Sequence, residues 1–247
     1  VFGNGASHVN SRGMAPSAIG FYTNYNSPVG SRNSIINTVV NSNGCMFTTA
    51  SWGGGTTTAY TSVSADADDI VFDHRIPWTN SMSNLGNQNV RPEAWAKNVI
   101  SIGGVAHGDN STASDDSWLA GNGSIGPAAD GRNKPDLCAY YDNVWTSDRS
   151  GTAGYNTAAG VAGNSTSSFG GTSSATPIVA GHNAIAIQMY TNHIFNNTPR
   201  VIGGTRYQNR PYAQTLKALM ITGANPYTPT ATNNRREHVG WGFPNLN

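Results

Sequence analysis

The sequence predicts a single α/β domain built on a mostly parallel, twisted sheet with helices on both faces. Three observations predict it. Short apolar runs alternate with stretches of helical periodicity, no linker or internal repeat divides the 247 residues, and one long apolar helix follows a glycine-rich loop. Alternating strands and helices favour parallel pairing, because each crossover helix covers one face of the sheet. A chain of this length can bury one sizeable core.

The first half of the chain supplies three elements in order. Residues 18–22 form a short apolar strand after a proline-containing segment. Residues 34–40 carry apolar side chains at helical spacing and stop near Asn43 and Gly44, which suit a helix exit. Residues 46–51 form the next predicted strand, which ends at a run of glycines.

The pattern then continues to the C-terminal region. Residues 58–72 form a predicted helix with its apolar side chains on one side. Residues 75–82 and 98–103 are further short apolar runs and predict two more strands. Residues 215–223 form a last helix closed by glycine. The stretch 151–171 is rich in glycine and asparagine and predicts a long connection.

Residues 170–177 read Gly-Gly-Thr-Ser-Ser-Ala-Thr-Pro and predict a loop that places a serine in the first turn of a buried helix. The glycines permit backbone conformations that side chains forbid, and Thr172 or Ser173 can cap the first amides. Positions after Pro177 are apolar on nearly every face, as in a helix at the centre of a domain. A serine there suits an oxyanion, because the helix dipole and converging N–H groups favour negative charge. Read alone, the segment also fits a capped core helix.

Composition limits the partners and the location. Charged residues make up 11% of the chain and the net charge is +1, without a basic run, so we expect no nucleic-acid partner. No apolar run is long enough to cross a bilayer, so we expect no membrane span. A surface rich in Asn, Ser, Thr and Gly predicts a secreted or otherwise extracytoplasmic protein. Cys45 and Cys138 fit no metal motif, and they can form one disulfide or remain two thiols.

The 171–177 run resembles the Gly-Thr-Ser-X-Ala-Thr-Pro nucleophile motif of the subtilisin-like serine proteases, the subtilases. Further segments resemble that family in the same order, at residues 13–18, 49–54, 96–104, 126–137 and 240–242. The resemblance implies a three-layer subtilisin-like fold and a serine endopeptidase that acts on protein or peptide substrates. It implies an acyl-enzyme on Ser173 and no cofactor for catalysis. Structural calcium is frequent in subtilases, but no acidic cluster here has ligand spacing that assigns a site.

The resemblance also implies an oxyanion donor from an asparagine side chain after a strand. Asn84 holds that position, with Ser83 in place of the usual glycine, and Asn80 and Asn87 lie close by. An asparagine that only caps a turn is the alternative. The family tends to have a cis proline at the position of Pro92, so we expect the bond that precedes it to be cis.

Substrate recognition follows from the same resemblance. The edge strand at 49–54 would pair with the backbone of an extended peptide. We expect a specificity pocket with a mixed apolar wall, no fixed charge and a broad, partly apolar preference. Its two sides would be formed by Ser51, Trp52 and Gly53 and by Ser81, Met82 and Ser83.

The motifs that carry the catalytic aspartate and histidine in subtilases have no match in this chain. Subtilases take their aspartate from an Asp-Ser/Thr-Gly strand end and their base from a His-Gly-Thr helix start, and this chain contains neither at a matching position. Residues 1–5 resemble the stretch just after that histidine helix. We therefore expect residues 1–247 to be a subtilase catalytic domain that lacks its N-terminal part. An N-terminal fragment of the same proteolytically processed precursor would supply the missing groups, and the chain alone would be inactive. The alternatives are a catalytically inactive pseudoprotease and a structural or binding subunit.

Overall fold

Four parallel strands form the main sheet of the computed structural model, which describes residues 1–24, 30–118, 123–149, 155, 164–227 and 233–247. Their order across the sheet follows the chain, so that each strand pairs with the next one. In this register Thr49 lies opposite Thr79, which lies opposite Ile100. The strands are β1 (Thr48–Ala50), β2 (Trp78–Ser81), β3 (Ile100–Val105) and β4 (Leu137–Tyr140).

Helices cover both faces of this sheet. Val99 and Ile100 are successive residues at the start of β3, and they point into two different apolar clusters. The Val99 cluster includes Ile36 and Ile70 from the first two helices, whereas the Ile100 cluster includes Val179 from the third. This is the predicted α/β fold. The helices are α1 (Arg32–Asn41), α2 (Ser62–His74), α3 (Thr172–Thr191), α4 (Ala213–Thr222) and the single turn α5 (Arg236–Val239), with 3₁₀ turns at Val9–Ser11 and Pro92–Trp95.

Most of the elements predicted from the sequence are confirmed. The helices at 34–40, 58–72 and 215–223 correspond to α1, α2 and α4, and the strands at 46–51, 75–82 and 98–103 correspond to β1, β2 and β3. The strand at 18–22 is wrong, because these residues pair with no other strand in the described part of the chain. Ile19 and Tyr22 are 82% and 84% exposed, so this apolar segment packs against little that would order it as a strand.

The connection predicted at 151–171 is also wrong in part. Its last residues form β6 (Ser165–Phe169), which pairs antiparallel with β5 (Val144–Ser147) in a separate two-stranded sheet. Residues 150–154 and 156–163 lie outside the described residues. The side chains of β6 are mostly hydroxyls, so apolar spacing gives no strand signal there.

Three further expectations concern the two cysteines, the peptide bond before Pro92 and a membrane span. Cys45 and Cys138 are free thiols, and burial raises the pKa of both. The predicted cis bond before Pro92 is wrong, since the cis bonds found in the described residues precede Pro127 and Pro135. None of the helices in that part of the chain is long and apolar enough to span a membrane.

A buried network of charges ties β4 to β3 and α4. The Asp136 carboxylate accepts hydrogen bonds from Lys134 Nζ at 2.6 Å and from the Ser101 N–H at 2.9 Å, and Lys217 Nζ lies 3.0 Å from its other oxygen. Burial by itself would raise the pKa of the Asp136 carboxyl. The two ammonium groups and the hydrogen bonds outweigh burial and lower that pKa, so the carboxylate remains charged.

Candidate active site

Ser173 lies in the first turn of α3, where this helix meets the end of β1. Gly171 precedes the helix with a φ of +82°, which glycine adopts readily. Ser173 Oγ donates a hydrogen bond to the Ser51 carbonyl at 3.3 Å, and Ser51 Oγ donates to the Ser173 carbonyl at 3.0 Å. Pro177 has no N–H to offer that carbonyl within the helix, so the Ser51 hydroxyl replaces the missing helical bond. The motif thereby fixes the backbone of Ser173 against β1.

The two adjacent serines of the motif differ in their surroundings. Ser174 is fully buried, and its hydroxyl lies within 2.9 Å of the Gly171 carbonyl and 3.1 Å of the Tyr141 carbonyl. Ser173 is half-buried, and its hydroxyl makes one long hydrogen bond. Of the two, Ser173 presents the accessible hydroxyl.

The side chain of Asn84 is attached to the start of α3. Its Oδ1 atom accepts hydrogen bonds from Thr172 N at 2.8 Å and from Thr172 Oγ1 at 2.9 Å. Because a backbone N–H must face an oxygen, these bonds fix the amide orientation. A Cβ atom added at Gly171 would lie 2.9 Å from Asn84 Nδ2, so glycine leaves the room that this amide needs. The predicted cap from Thr172 or Ser173 is wrong, because Asn84 caps the helix from another segment.

The neighbouring asparagines lie elsewhere. Asn80 is fully buried in β2, and its Nδ2 donates to the carbonyl of the next residue at 3.1 Å. Asn87 is exposed, and its Oδ1 accepts the N–H of the residue two positions on, at 2.8 Å. Ser83, which precedes Asn84, has a φ of +134°, in the region that favours glycine. Of the three asparagines considered from the sequence, Asn84 is the one bonded to the helix that carries Ser173.

All six histidines lie within the described residues, and none of their rings bonds to or stacks on Ser173 there. Burial lowers the pKa of two of them, His182 and His238. Five of the rings are bonded to, or stacked on, partners other than Ser173. These pairs are His8 with Trp145, His74 with Asn33, His182 with the Ile178 carbonyl, His193 with the Asn197 carbonyl, and His238 with Asn233.

The sixth histidine, His107, forms a pair with Asp142. The distance from His107 Nδ1 to Asp142 Oδ1 is 2.7 Å, and the same carboxylate accepts the N–H groups of His107 and Gly108. Burial opposes ionisation of Asp142, but these hydrogen bonds outweigh it and lower the pKa of the carboxyl. His107 and Asp142 follow β3 and β4, whereas Ser173 Oγ is bonded to Ser51 at the β1 edge. In the described residues no hydrogen bond joins this pair to Ser173, whose hydroxyl donates to the Ser51 carbonyl instead.

The residues predicted to bind substrate lie on two neighbouring segments. Ser51, Trp52 and Gly53 continue β1, while Ser81, Met82 and Ser83 end and follow β2, its partner in the sheet. Trp52 is 38% exposed, with the Arg32 guanidinium 4.8 Å from the centre of its ring. Sequence reasoning missed two charged residues at this place, Arg91 and Glu93, which both bond to the glycines after Trp52. No local motif marks them, because they approach from about 40 positions along the chain.

Comparison with known proteins gives a family match over almost the whole chain. The model of the subtilase family, Peptidase_S8, matches residues 1–242. No curated protein sequence matches the chain significantly.

Solved structures of low sequence identity share the fold. The patellamide maturation protease PatA has a TM-score of 0.63 at 17% identity, covering 99% of this chain and 77% of that one. The prenylagaramide maturation protease PagA has a TM-score of 0.57 at 18% identity, covering 89% of this chain and 66% of that one. Fervidolysin from Fervidobacterium pennivorans, a keratinolytic enzyme related to subtilisin, has a TM-score of 0.56 at 19% identity. That match covers 86% of this chain and 27% of fervidolysin, so the chain spans less than two thirds of the length of these last two structures.

Proposed function

The chain belongs to the subtilase family, and on that premise we propose that it is the major part of a serine endopeptidase that hydrolyses peptide bonds through an acyl-enzyme on Ser173. The observation that carries the proposal is the pair of hydrogen bonds from Thr172 to Asn84 Oδ1. These bonds hold the Asn84 amide beside an accessible serine at a helix N-terminus. A hydroxyl nucleophile and a preorganised N–H donor are what acyl transfer requires.

The chemistry assigns each group a role. Ser173 Oγ attacks the carbonyl carbon of the peptide bond, and its proton passes to an imidazole base. The carbonyl oxygen becomes an oxyanion, which the Ser173 N–H and Asn84 Nδ2 stabilise. The C–N bond then breaks, the imidazolium gives its proton to the leaving amine, and water hydrolyses the acyl-enzyme.

We propose that the base and its orienting carboxylate come from a polypeptide segment outside these 247 residues. The hydroxyl of Ser173 is bonded to a backbone carbonyl, and each of the six histidines has another partner. A serine hydroxyl is a poor nucleophile until a base accepts its proton. A segment with an Asp-Ser/Thr-Gly strand and a His-Gly-Thr helix start would supply both groups.

One edge of β1 pairs with no other strand in the described residues, and it suits such a segment. β1 pairs with β2 on one side, and in a parallel ladder the N–H and C=O of Thr49 then point away from β2. A cavity of about 400 Å³ is lined by Phe21 and Tyr22, by residues 48–50 of β1 and by Trp78 of β2. An extended strand placed there would pair with β1 at Thr49 and cover exposed apolar side chains, and the substrate backbone would then pair with residues 51–54 beyond the end of β1. The end of the added strand would lie close to Ser51, and therefore to Ser173.

The test is covalent labelling of the chain complemented with a segment of that kind. A fluorophosphonate should form an adduct on Ser173, located by peptide mass spectrometry, and Ser173→Ala should abolish it. A substitution at Ser174, chosen so that the protein still folds, serves as the neighbouring control and should retain labelling. An adduct on Ser174, or none on the complemented chain, would contradict the proposal. A pseudoprotease or a structural subunit would give the second result.

A further inference from the structure

Arg91 joins the two segments predicted to form the specificity pocket. Its backbone N–H donates to the Met82 carbonyl at 2.8 Å, which attaches it to the segment after β2. Its side chain reaches the segment after β1, where Nη1 donates to the Gly54 carbonyl at 2.9 Å and, more weakly, to the Gly53 carbonyl at 3.4 Å. A Cβ atom added at Gly53 would lie 3.0 Å from Arg91 Cβ. The guanidinium therefore lies across the pocket, where an uncharged wall was expected.

The Glu93 carboxylate contacts the same glycine segment, but it already has hydrogen-bond partners. Glu93 is 1% exposed, and both of its oxygens accept the Gly54 N–H, at 3.0 and 3.1 Å. One of these oxygens also pairs with Arg32 Nη1 at 2.7 Å. Arg32 therefore balances the charge of Glu93, and the Arg91 guanidinium, bonded to the Gly53 and Gly54 carbonyls, keeps its positive charge without a paired carboxylate in the described residues.

The guanidinium of Arg91 retains free donors. In the part of the chain that the structure describes, Arg91 forms no ion pair, and its Nε and Nη2 atoms donate no hydrogen bond. The residue is half-buried, so these donors are partly shielded from water. A guanidinium fork with two free nitrogens matches a carboxylate in a bidentate arrangement.

We propose that Arg91 is a specificity-determining residue that selects an acidic side chain of the substrate. This inference rests on the proposed peptidase function, and it replaces the expected apolar preference with an electrostatic one. The carboxylate of an aspartate or glutamate next to the cleaved bond would enter between the Ser51–Gly53 and Ser81–Ser83 segments. There it would receive hydrogen bonds from Arg91 Nε and Nη2. A lysine at the same substrate position would be repelled.

The alternative role for Arg91 is purely structural, as a clamp on the Gly53 and Gly54 carbonyls. Two substitutions separate the roles. Arg91→Gln can still donate to a carbonyl but removes the charge, and Arg91→Glu reverses the charge. Arg200→Gln is the matched control, because Arg200 stacks on Tyr212 outside the cleft. Thermal unfolding of each variant shows whether it is folded.

The experiment measures binding, so it does not depend on turnover. The complemented chain carrying Ser173→Ala is titrated with labelled peptides that differ only in Asp, Ala or Lys on the acyl side of the scissile bond. Fluorescence polarisation should show the Asp peptide bound about tenfold more tightly than the Ala peptide at low salt, with less difference at high salt. Arg91→Gln should remove this preference, Arg91→Glu should transfer it to the Lys peptide, and Arg200→Gln should retain it.

Several results would overturn the proposal. They are equal affinity for the Asp and Ala peptides, a preference that survives in folded Arg91→Gln, and no binding of any peptide. Hydrolysis by the protein with Ser173 intact is measured separately. An acidic preference in binding without any hydrolysis would support the role of Arg91 and contradict the peptidase function, so the two failures are distinguishable.

Discussion

Asn84 Oδ1 accepts two hydrogen bonds from Thr172, one from its N–H at 2.8 Å and one from its hydroxyl at 2.9 Å. This relationship connects the turn after β2 to the first turn of the helix that carries Ser173. It satisfies a free N–H of the helix start and orients the opposite end of the amide. A single asparagine thus caps the helix and, in the proposed mechanism, also serves as the oxyanion donor.

Asn84→Leu should lower kcat of the complemented enzyme by about 10²–10³ with little change in KM, because the lost donor acts mainly in the transition state. Steady-state kinetics on a peptide substrate measures both constants. Asn87→Leu is the control, since the Asn87 side chain is exposed and its oxygen accepts a hydrogen bond only from within its own turn in the described residues. A comparable loss of kcat at Asn87 would argue against the assignment of Asn84.

Thr172→Val should lower kcat about three- to tenfold and leave KM nearly unchanged. Valine keeps the shape and the N–H of residue 172 but removes the hydroxyl that bonds to Asn84 Oδ1. The effect should disappear in the background of Asn84→Leu, where there is no amide left to orient. An equal loss in both backgrounds would mean that Thr172 acts on something other than Asn84.

Ser83→Gly should stabilise the protein by about 1 kcal/mol, because glycine adopts the φ of +134° without the strain of a side chain. For a chain of this size the melting temperature should rise by about 2–4 °C. Ser83→Ala is the matched control, since it removes the hydroxyl but keeps the strained backbone. If Ser83→Ala stabilises as much as Ser83→Gly, the gain does not come from the backbone.

Asp136→Asn should destabilise the protein by about 3–5 kcal/mol, because it removes a buried carboxylate that pairs with both Lys134 and Lys217. Urea unfolding measures the free energy. Asp130→Asn is the control at the half-exposed pair with Arg132, and it should have little effect. Equal effects at the two positions would contradict the special role of burial at Asp136.

The same carboxyl predicts how stability depends on pH. The pKa of Asp136 is lower in the folded chain than in the unfolded one, where it is about 3.9. The contribution of Asp136 to the free energy of unfolding is therefore fully present above the unfolded pKa, and it is lost as the pH falls through the folded pKa. The free energy of unfolding should fall as the pH drops below about 4, and less steeply in Asp136→Asn. An identical slope in the two proteins would contradict this account.

The spacing of apolar residues, and the glycines at which elements end, were sufficient to predict most of the helices and strands. The sequence was also sufficient to place Ser173 in the first turn of a buried helix, which seven consecutive motif positions predict. It failed at residues 18–22, where apolar side chains such as Ile19 and Tyr22 lie exposed and the backbone pairs with no described strand. A strand depends on its neighbours as well as on its own residues.

The groups around the site were harder to predict, because they meet only through the fold. The cap on α3 comes from Asn84, 88 positions away from Thr172. Arg91, which precedes the 3₁₀ turn at Pro92–Trp95, and Glu93, which lies within it, reach the glycines after Trp52, and no sequence motif marks this turn. The pairing of His107 with Asp142 likewise follows from the adjacency of β3 and β4.

The central claim is that Ser173 is a nucleophile whose base comes from outside these 247 residues. The most direct measurement is hydrolysis of a chromogenic peptide by the chain alone and by the chain complemented with the aspartate- and histidine-bearing segment. The chain alone should show at most the residual acceleration of a site without its base, on the order of 10³–10⁴ over water, and should be poorly stable. Complementation should restore both stability and protease rates, and Ser173→Ala should abolish the activity. Full activity from the isolated chain would contradict the account, because one of its own six histidines would then be the base.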